Sequence, residues 1–119
     1  MDEKTGSVTI APDVLHSLVR MTALATPGVA RLAPTLPNSV RRFFGQHASE
    51  GMEIQIIDHA VTIDLYVIAE PDAQMLQLGQ TLQREINRAI HDVVGMPVAE
   101  INVHIEDVAD PLASPALEA

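Results

Sequence analysis

The chain has 119 residues, of which 47% are hydrophobic and 19% charged, a composition typical of one globular domain. Its formal net charge of −9 disfavours binding to nucleic acid and direct binding to acidic membrane surfaces. The absence of cysteine excludes disulfides, thiolate metal sites and cysteine nucleophiles. No segment approaches the roughly 18 consecutive apolar residues of a membrane span, and the N-terminus does not resemble a signal peptide. We therefore expect a cytoplasmic protein that does not insert into the membrane.

The hydrophobic pattern predicts six elements in the order β-α-β-β-α-β. They are a strand at residues 7–10, a helix at about residues 12–25, strands at residues 52–57 and 61–68 joined by a hairpin, a helix from about Pro71 to Gly95, and a strand at residues 100–108. Residues 30–50 are interpreted as a long connection, with room for a helical turn near residues 38–44. A single domain is expected to span residues 1–108, and residues 109–119 to form a mobile acidic tail rich in Ala and Pro.

This order predicts an α+β fold, a two-layer sandwich with both helices packed on one face of a small antiparallel or mixed sheet. If the first strand is too short to pair, the same elements make an α-β-β-α-β domain instead. The opposite face of the sheet is expected to be open to solvent and mostly polar. Its predicted residues are Glu53, Gln55, Thr62, Asp64, Tyr66, Asn102, His104 and Glu106.

The sequence offers little support for an enzyme or a metal site. The five histidines show no metal-ligand spacing and fall on different predicted elements. No nucleophile elbow or glycine-rich phosphate loop is present. Asp64 and Glu106 could lie beside His104, a combination that can serve acid–base catalysis, but solvated side chains are the favoured interpretation. We expect no catalytic residue, no metal and no cofactor.

Two features favour contacts with proteins. On the sheet face, Tyr66, Asn102 and His104 are side chains of the kind found in protein interfaces. The long connection also carries a cluster that combines two basic residues with two of the three aromatic residues of the chain. It consists of Arg41, Arg42, Phe43 and Phe44. This cluster could anchor a protein partner or touch lipid headgroups, but packing of the two rings onto the core is the favoured interpretation.

Six short segments occur in a characteristic order over residues 6–108. They are GSVTIAPDVL at 6–15, TPGVA at 26–30, VTIDLYV at 61–67, LQREI at 82–86, VGMPV at 94–98 and INVHIEDV at 101–108. Together they resemble the alkaline shock protein family, bacterial cell-envelope stress-response proteins of the Gls type. A departure is that Glu70, Pro71 and Asp72 stand where the family usually has an aromatic–glycine pair.

The resemblance implies a small bacterial protein without catalytic activity that acts in envelope homeostasis and stress. It implies self-assembly into homo-oligomers, or tethering at the inner face of the membrane by a small membrane-anchored partner protein. It also implies Asp64, Tyr66 and Asn102 as interaction residues. The function predicted is therefore an envelope-stress scaffold or adaptor. The alternative is a small-molecule-sensing regulatory domain, which rests on fold analogy alone; a hydrolase using Asp64, His104 and Glu106 ranks third.

Overall fold

The computed structural model describes residues 5–34, 48–49 and 51–110. The helices are α1 (Pro12–Ala25) and α2 (Met75–Ala89), and α2 continues as one π-helical turn (Ile90–Val94). The strands are β1 (Val29–Leu32), β2 (Ala48–Ser49), β3 (Met52–Ile57), β4 (Ala60–Ala69) and β5 (Val98–Val108). The protein is therefore an α+β fold, as the sequence predicts.

The central strand of the sheet is β4. It pairs in parallel with β5 along nearly its whole length. On its other edge it pairs antiparallel with two strands in succession, β3 against residues 60–65 and β1 against residues 67–69. The short β2 extends the sheet beyond β3. The sheet is thus mixed, which is one of the two arrangements predicted.

The core lies between one face of this sheet and the two helices. Every second residue of β4 is fully buried there, namely Val61, Ile63, Leu65, Val67 and Ala69. The helices contribute buried residues at spacings of four, which are Leu15, Val19 and Ala23 in α1 and Leu78, Leu82 and Ile86 in α2. The prediction that both helices cover one sheet face is confirmed. No helix in the described part of the chain has the length and apolar character needed to cross a membrane.

The order of the elements differs from both predicted orders. Without the two-residue β2 it is α-β-β-β-α-β. Residues 7–10 form no strand, and Val8 is 91% exposed. Strand formation depends on an available partner more than on local propensity, and both edges of the central β4 are already paired. The additional strand is Val29–Leu32, which the sequence pattern assigned mostly to the long connection.

The predicted hairpin and the end of the second helix are confirmed, whereas the start of that helix is not. Asp58 and His59 make the β3–β4 turn with φ of 54° and 66°, the signs of a two-residue type I′ turn. The second helix begins at Met75, because Pro71 lies in a turn that precedes it. Its π-helical extension ends at Gly95, whose φ of 80° is typical of a helix C-cap.

The described residues end just beyond β5. The Ala109 N–H donates to the Ala69 carbonyl over 2.8 Å, which adds one more hydrogen bond between the segment and β4. Residues 111–119 of the predicted tail lie outside the described residues. The mobility of that tail stays a prediction.

Candidate functional site on the outer face of the sheet

The face of the sheet that points away from the helices is called the outer face here. Successive side chains of a strand alternate between the two faces, and the apolar alternates of β4 enter the core. The pairing then brings polar residues side by side: Glu53 of β3 lies opposite Asp64 of β4, and Asp64 lies opposite Asn102 of β5. One step along, Tyr66 lies opposite His104. Four of the predicted site residues, Asp64, Tyr66, Asn102 and His104, are therefore neighbours.

His104 is held in place by two of these neighbours. Its Nε2 lies 3.0 Å from Oδ1 of Asp64, and its ring stacks on Tyr66 with centroids 4.4 Å apart and planes 11° apart. The side chains of His104 and Asp64 are 40% and 20% exposed, so one side of the pair remains accessible. A carboxylate–imidazole pair can transfer a proton, or it can offer a donor and an acceptor to a bound protein.

Two of the residues predicted for the open outer face are buried, contrary to that prediction. Tyr66 is 4% exposed because it packs with Ala33 and Ile68 in a second small cluster and stacks on His104. Glu53 is 1% exposed, and it lies on a strand paired on both sides, by β2 and by β4. The outer face is therefore closed at Tyr66 and Glu53, while half-buried or exposed side chains remain on β5 and on the neighbouring strands; they are Asn102, His104, Glu106, Gln55, Thr62 and Asp64.

Glu53 is the most perturbed group on the outer face. Neither of its carboxylate oxygens has a hydrogen-bond partner within residues 5–34, 48–49 and 51–110. Burial, followed by repulsion from Asp64, raises the pKa of Glu53 from 4.5 to about 7. Burial and the charges of Asp64, Glu106 and Glu53 likewise raise the pKa of Tyr66. Strand alternation places Glu53 on this face but gives no sign that it is covered.

Asn102 and Glu100 form the exposed rim of the outer face on β5. Asn102 Nδ2 donates to Oε2 of Glu100 over 2.8 Å. The described residues contain no group of three or more His, Asp or Glu side chains arranged to hold a metal ion. The other predicted feature, formed by Arg41, Arg42, Phe43 and Phe44, lies outside the described residues, so its role stays a prediction.

A separate surface lies between the helices. It is an open groove of about 630 Å³ with Met21 and Val93 in its lining, and these two side chains are 61% and 67% exposed. Val93 continues the apolar pattern of α2 but falls in the π-helical turn, which rotates it out of the core. Glu85 and Arg88, 3.6 Å apart, stand on the α2 side of the groove. The small-molecule alternative would have to use a surface of this kind.

Comparison with models of known protein families shows which family the chain belongs to. The model of the alkaline shock protein 23 family, described as having a cell envelope-related function, matches residues 1–110. The chain belongs to this alkaline shock protein family. The resemblance predicted from the six sequence segments is therefore confirmed.

Two bacterial proteins are related to this chain, with about a quarter of the aligned residues identical. The uncharacterized protein YqhY of Bacillus subtilis (strain 168) is 26% identical over 105 residues, which cover 87% of this chain and 78% of the relative. The uncharacterized protein Spy1535 of Streptococcus pyogenes serotype M6 is 24% identical over 107 residues, covering 89% and 81%.

Solved structures also share the fold. The copper form of MamM CTD superimposes with a TM-score of 0.55 and 10% identity, covering 86% of this chain and 90% of that one. A second MamM CTD structure superimposes with a TM-score of 0.54 and 11% sequence identity, and the match covers 82% of this chain and 99% of that one. At this identity the likeness concerns the fold alone.

Proposed function

We propose that this alkaline shock family protein is a non-enzymatic scaffold or adaptor in the bacterial cell-envelope stress response. It acts through protein–protein contacts made by the exposed, β5 side of the outer face. The cell envelope-related description of the family supports the setting. The arrangement of side chains on β5 supports the mode of action.

The observation that carries the proposal is the fixed orientation of His104. Binding normally orders exposed side chains, at roughly 0.5–1.5 kcal/mol for each flexible one. The His104 ring is already held by stacking on Tyr66 and by the hydrogen bond to Asp64. A partner therefore meets a preorganised aromatic surface, with the Asn102 amide beside it.

Charge indicates what kind of protein partner fits. Glu100 and Glu106 flank Asn102 and His104 on β5, and the whole chain carries a net charge of −9. Such a surface attracts basic segments and speeds their association. Membrane proteins carry an excess of Lys and Arg in the short segments next to the cytoplasmic side of their spans. A small membrane-anchored protein with a basic juxtamembrane segment is therefore the partner we propose.

Removing the two exposed side chains should separate binding from folding. In affinity capture of the tagged full-length protein from the membrane fraction of its own cells, the double variant Asn102→Ala/His104→Ala should recover about tenfold less of its main partner. This corresponds to about 1.4 kcal/mol of binding free energy. Far-UV circular dichroism should stay close to that of the unmodified protein, and the melting temperature should fall only modestly, because the stack on Tyr66 and the hydrogen bond to Asp64 are lost while the core stays intact.

The matched control removes two exposed side chains from the helix layer, in the variant Arg84→Ala/Arg88→Ala. Their side chains are 61% and 64% exposed, so their loss should leave both folding and capture unchanged. Undiminished recovery by Asn102→Ala/His104→Ala, or an equal loss in the control, would contradict the proposal.

A further inference from the structure

Glu53 is a buried carboxyl group whose oxygen atoms have no partners. Its side chain is 1% exposed, and neither Oε1 nor Oε2 has a hydrogen-bond partner in the described part of the chain. Buried polar groups in native proteins are nearly always hydrogen-bonded, because an unpaired one destabilises the folded state. The outer face therefore holds a buried acceptor without its donor.

The groups around Glu53 make this part of the outer face negative. Asp64, directly opposite on β4, repels the charge of Glu53. The charges of Asp64, Glu106 and Glu53 together raise the pKa of Tyr66, the next outer-face residue of β4. β2, on the other side of Glu53, has no titratable residue. Within the described residues, no basic side chain acts on Glu53 or Tyr66 to lower its pKa.

The nearest opening to this carboxyl group is at Asp64. Asp64 is 20% exposed, and Gln55 and Thr62 beside it are half-buried. Oδ1 of Asp64 is taken by Nε2 of His104, so Oδ2 is the oxygen that an entering ligand meets. Paired residues of neighbouring strands have Cβ atoms about 4.5–5.5 Å apart. A ligand bound to Asp64 is therefore within reach of the Glu53 carboxyl group.

We propose that the outer face binds one arginine side chain of the partner, with its guanidinium between the carboxylates of Glu53 and Asp64. This inference rests on the proposed function, because it names the group by which the basic segment is recognised. A guanidinium presents five N–H donors in a planar fork, so it can serve both carboxylates at once. It is also more weakly hydrated than the ammonium of lysine, which favours it at a buried site.

Binding of the arginine side chain should release the proton that Glu53 holds. In the free protein, burial and the charge of Asp64 raise the pKa of Glu53 to about 7, so its carboxyl group is mostly protonated at pH 6 and mostly ionised at pH 8. The guanidinium stays charged throughout this range and favours the ionised carboxylate. Affinity should therefore rise from pH 6 to pH 8, and binding at pH 6 should release nearly one proton per site.

The first test measures the binding of tetra-arginine amide to the full chain by isothermal titration calorimetry. Glu53→Gln keeps the shape of the buried side chain but cannot ionise, so it should lose about tenfold in affinity at pH 8. The matched control, Asp92→Asn, removes the same charge from a side chain of the helix layer that is 64% exposed, and its affinity should stay within about twofold. Unchanged affinity in Glu53→Gln, or an equal loss in the control, overturns the proposal.

A second measurement counts the released protons. The titration is repeated at pH 6 in two buffers with different heats of ionisation. The unmodified protein should release nearly one proton more than Glu53→Gln, and any release by His104 or by other groups common to both proteins cancels in this difference. Equal release by the two proteins removes Glu53 from the site and overturns the proposal.

Related probes identify the cationic group. Tetra-citrulline amide has side chains of nearly the same shape as arginine but without charge, and it should not bind. Tetra-lysine amide should bind more weakly than tetra-arginine amide and lose little affinity in Glu53→Gln; an equal loss overturns the choice of arginine. Agmatine, a free guanidinium compound, should bind much more weakly than the peptide. Equally tight binding of agmatine would make the ligand a small molecule and overturn the protein partner.

Capture of the membrane-anchored partner separates this inference from the proposed function. Reduced capture by both Glu53→Gln and Asn102→Ala/His104→Ala supports both. Reduced capture by Asn102→Ala/His104→Ala alone overturns the arginine site and leaves the proposed function standing. If Glu53→Gln binds tetra-arginine amide more weakly but both variants retain capture, the arginine site stands and the proposed function is contradicted.

Discussion

Replacing Gly51 with alanine is expected to destabilise the protein by roughly 3 kcal/mol or more, because two penalties combine. Gly51 has φ of 69°, a conformation that side chains with a Cβ rarely adopt. An added Cβ would lie 2.6 Å from Leu32 Cβ and 3.2 Å from the carbonyl oxygens of Ala33 and Tyr66.

The atoms around Gly51 have little freedom to move away. This is the point where β1 and β3 meet along the same edge of β4. The Ala33 N–H donates to the Tyr66 carbonyl over 2.9 Å, and the Tyr66 N–H donates to the Gly51 carbonyl over 2.8 Å. A shift that relieved the clash would weaken these hydrogen bonds, so the strain cannot be released locally.

Urea unfolding of the full chain measures this effect, with Gly95→Ala as the matched control. Gly95 also has positive φ, 80°, but an added Cβ there would meet nothing within 4 Å. Its replacement should cost only about 1 kcal/mol, the conformational penalty alone. If Gly51→Ala costs no more than Gly95→Ala, the close meeting of β1, β3 and β4 is wrong.

Replacing Glu53 with glutamine is expected to change how stability depends on pH. Since burial raises the pKa of Glu53 to about 7 in the folded protein, against 4.5 when unperturbed, folding favours its protonated form. The stabilisation from that proton is fully present below pH 4.5 and is lost as pH rises to about 7. The loss is on the order of 3 kcal/mol, and it levels off above that range. Glu53→Gln removes this loss and should therefore be more stable than the unmodified protein at pH 8.

The measurement is the free energy of unfolding of both proteins at a series of pH values between 4 and 8. Their difference isolates the contribution of Glu53 from that of other titrating groups. Glu106→Gln is the control, because the Glu106 side chain on β5 is exposed and its charge can be removed without changing a buried group. Parallel pH profiles for Glu53→Gln and the unmodified protein would show that the carboxylate is not buried as described.

Elements defined by their own periodicity could be predicted from the sequence. The apolar spacing of α1 and the strict alternation of β3 and β4 are local patterns, so their bounds agree closely with the structure. β1 has only four residues, and it forms because the end of β4 offers it an edge. Residues 7–10 also have β propensity but pair with no strand of the described part of the chain. The prediction that α2 starts at Pro71 was wrong, because this proline lies in a turn that precedes the helix.

The sequence predicts which residues lie on the outer face of the sheet, but it does not predict the contacts among them. Alternation alone puts Asp64, Tyr66 and His104 on the outer face. The contacts of His104 with both residues depend on the parallel pairing of β5 with β4, which joins segments 40 residues apart. The burial of Glu53 depends in the same way on pairing at both of its strand edges. Neither is encoded in a local pattern.

The most direct test of the adaptor function is site-specific photo-cross-linking in growing cells. A photoreactive residue placed at Asn102 should form an adduct with an envelope protein. The same residue placed at Arg88, which is 64% exposed in the helix layer, should not form that adduct. If position 102 yields no adduct with an envelope protein, or if both positions yield the same adducts, the outer face on β5 is not the binding surface.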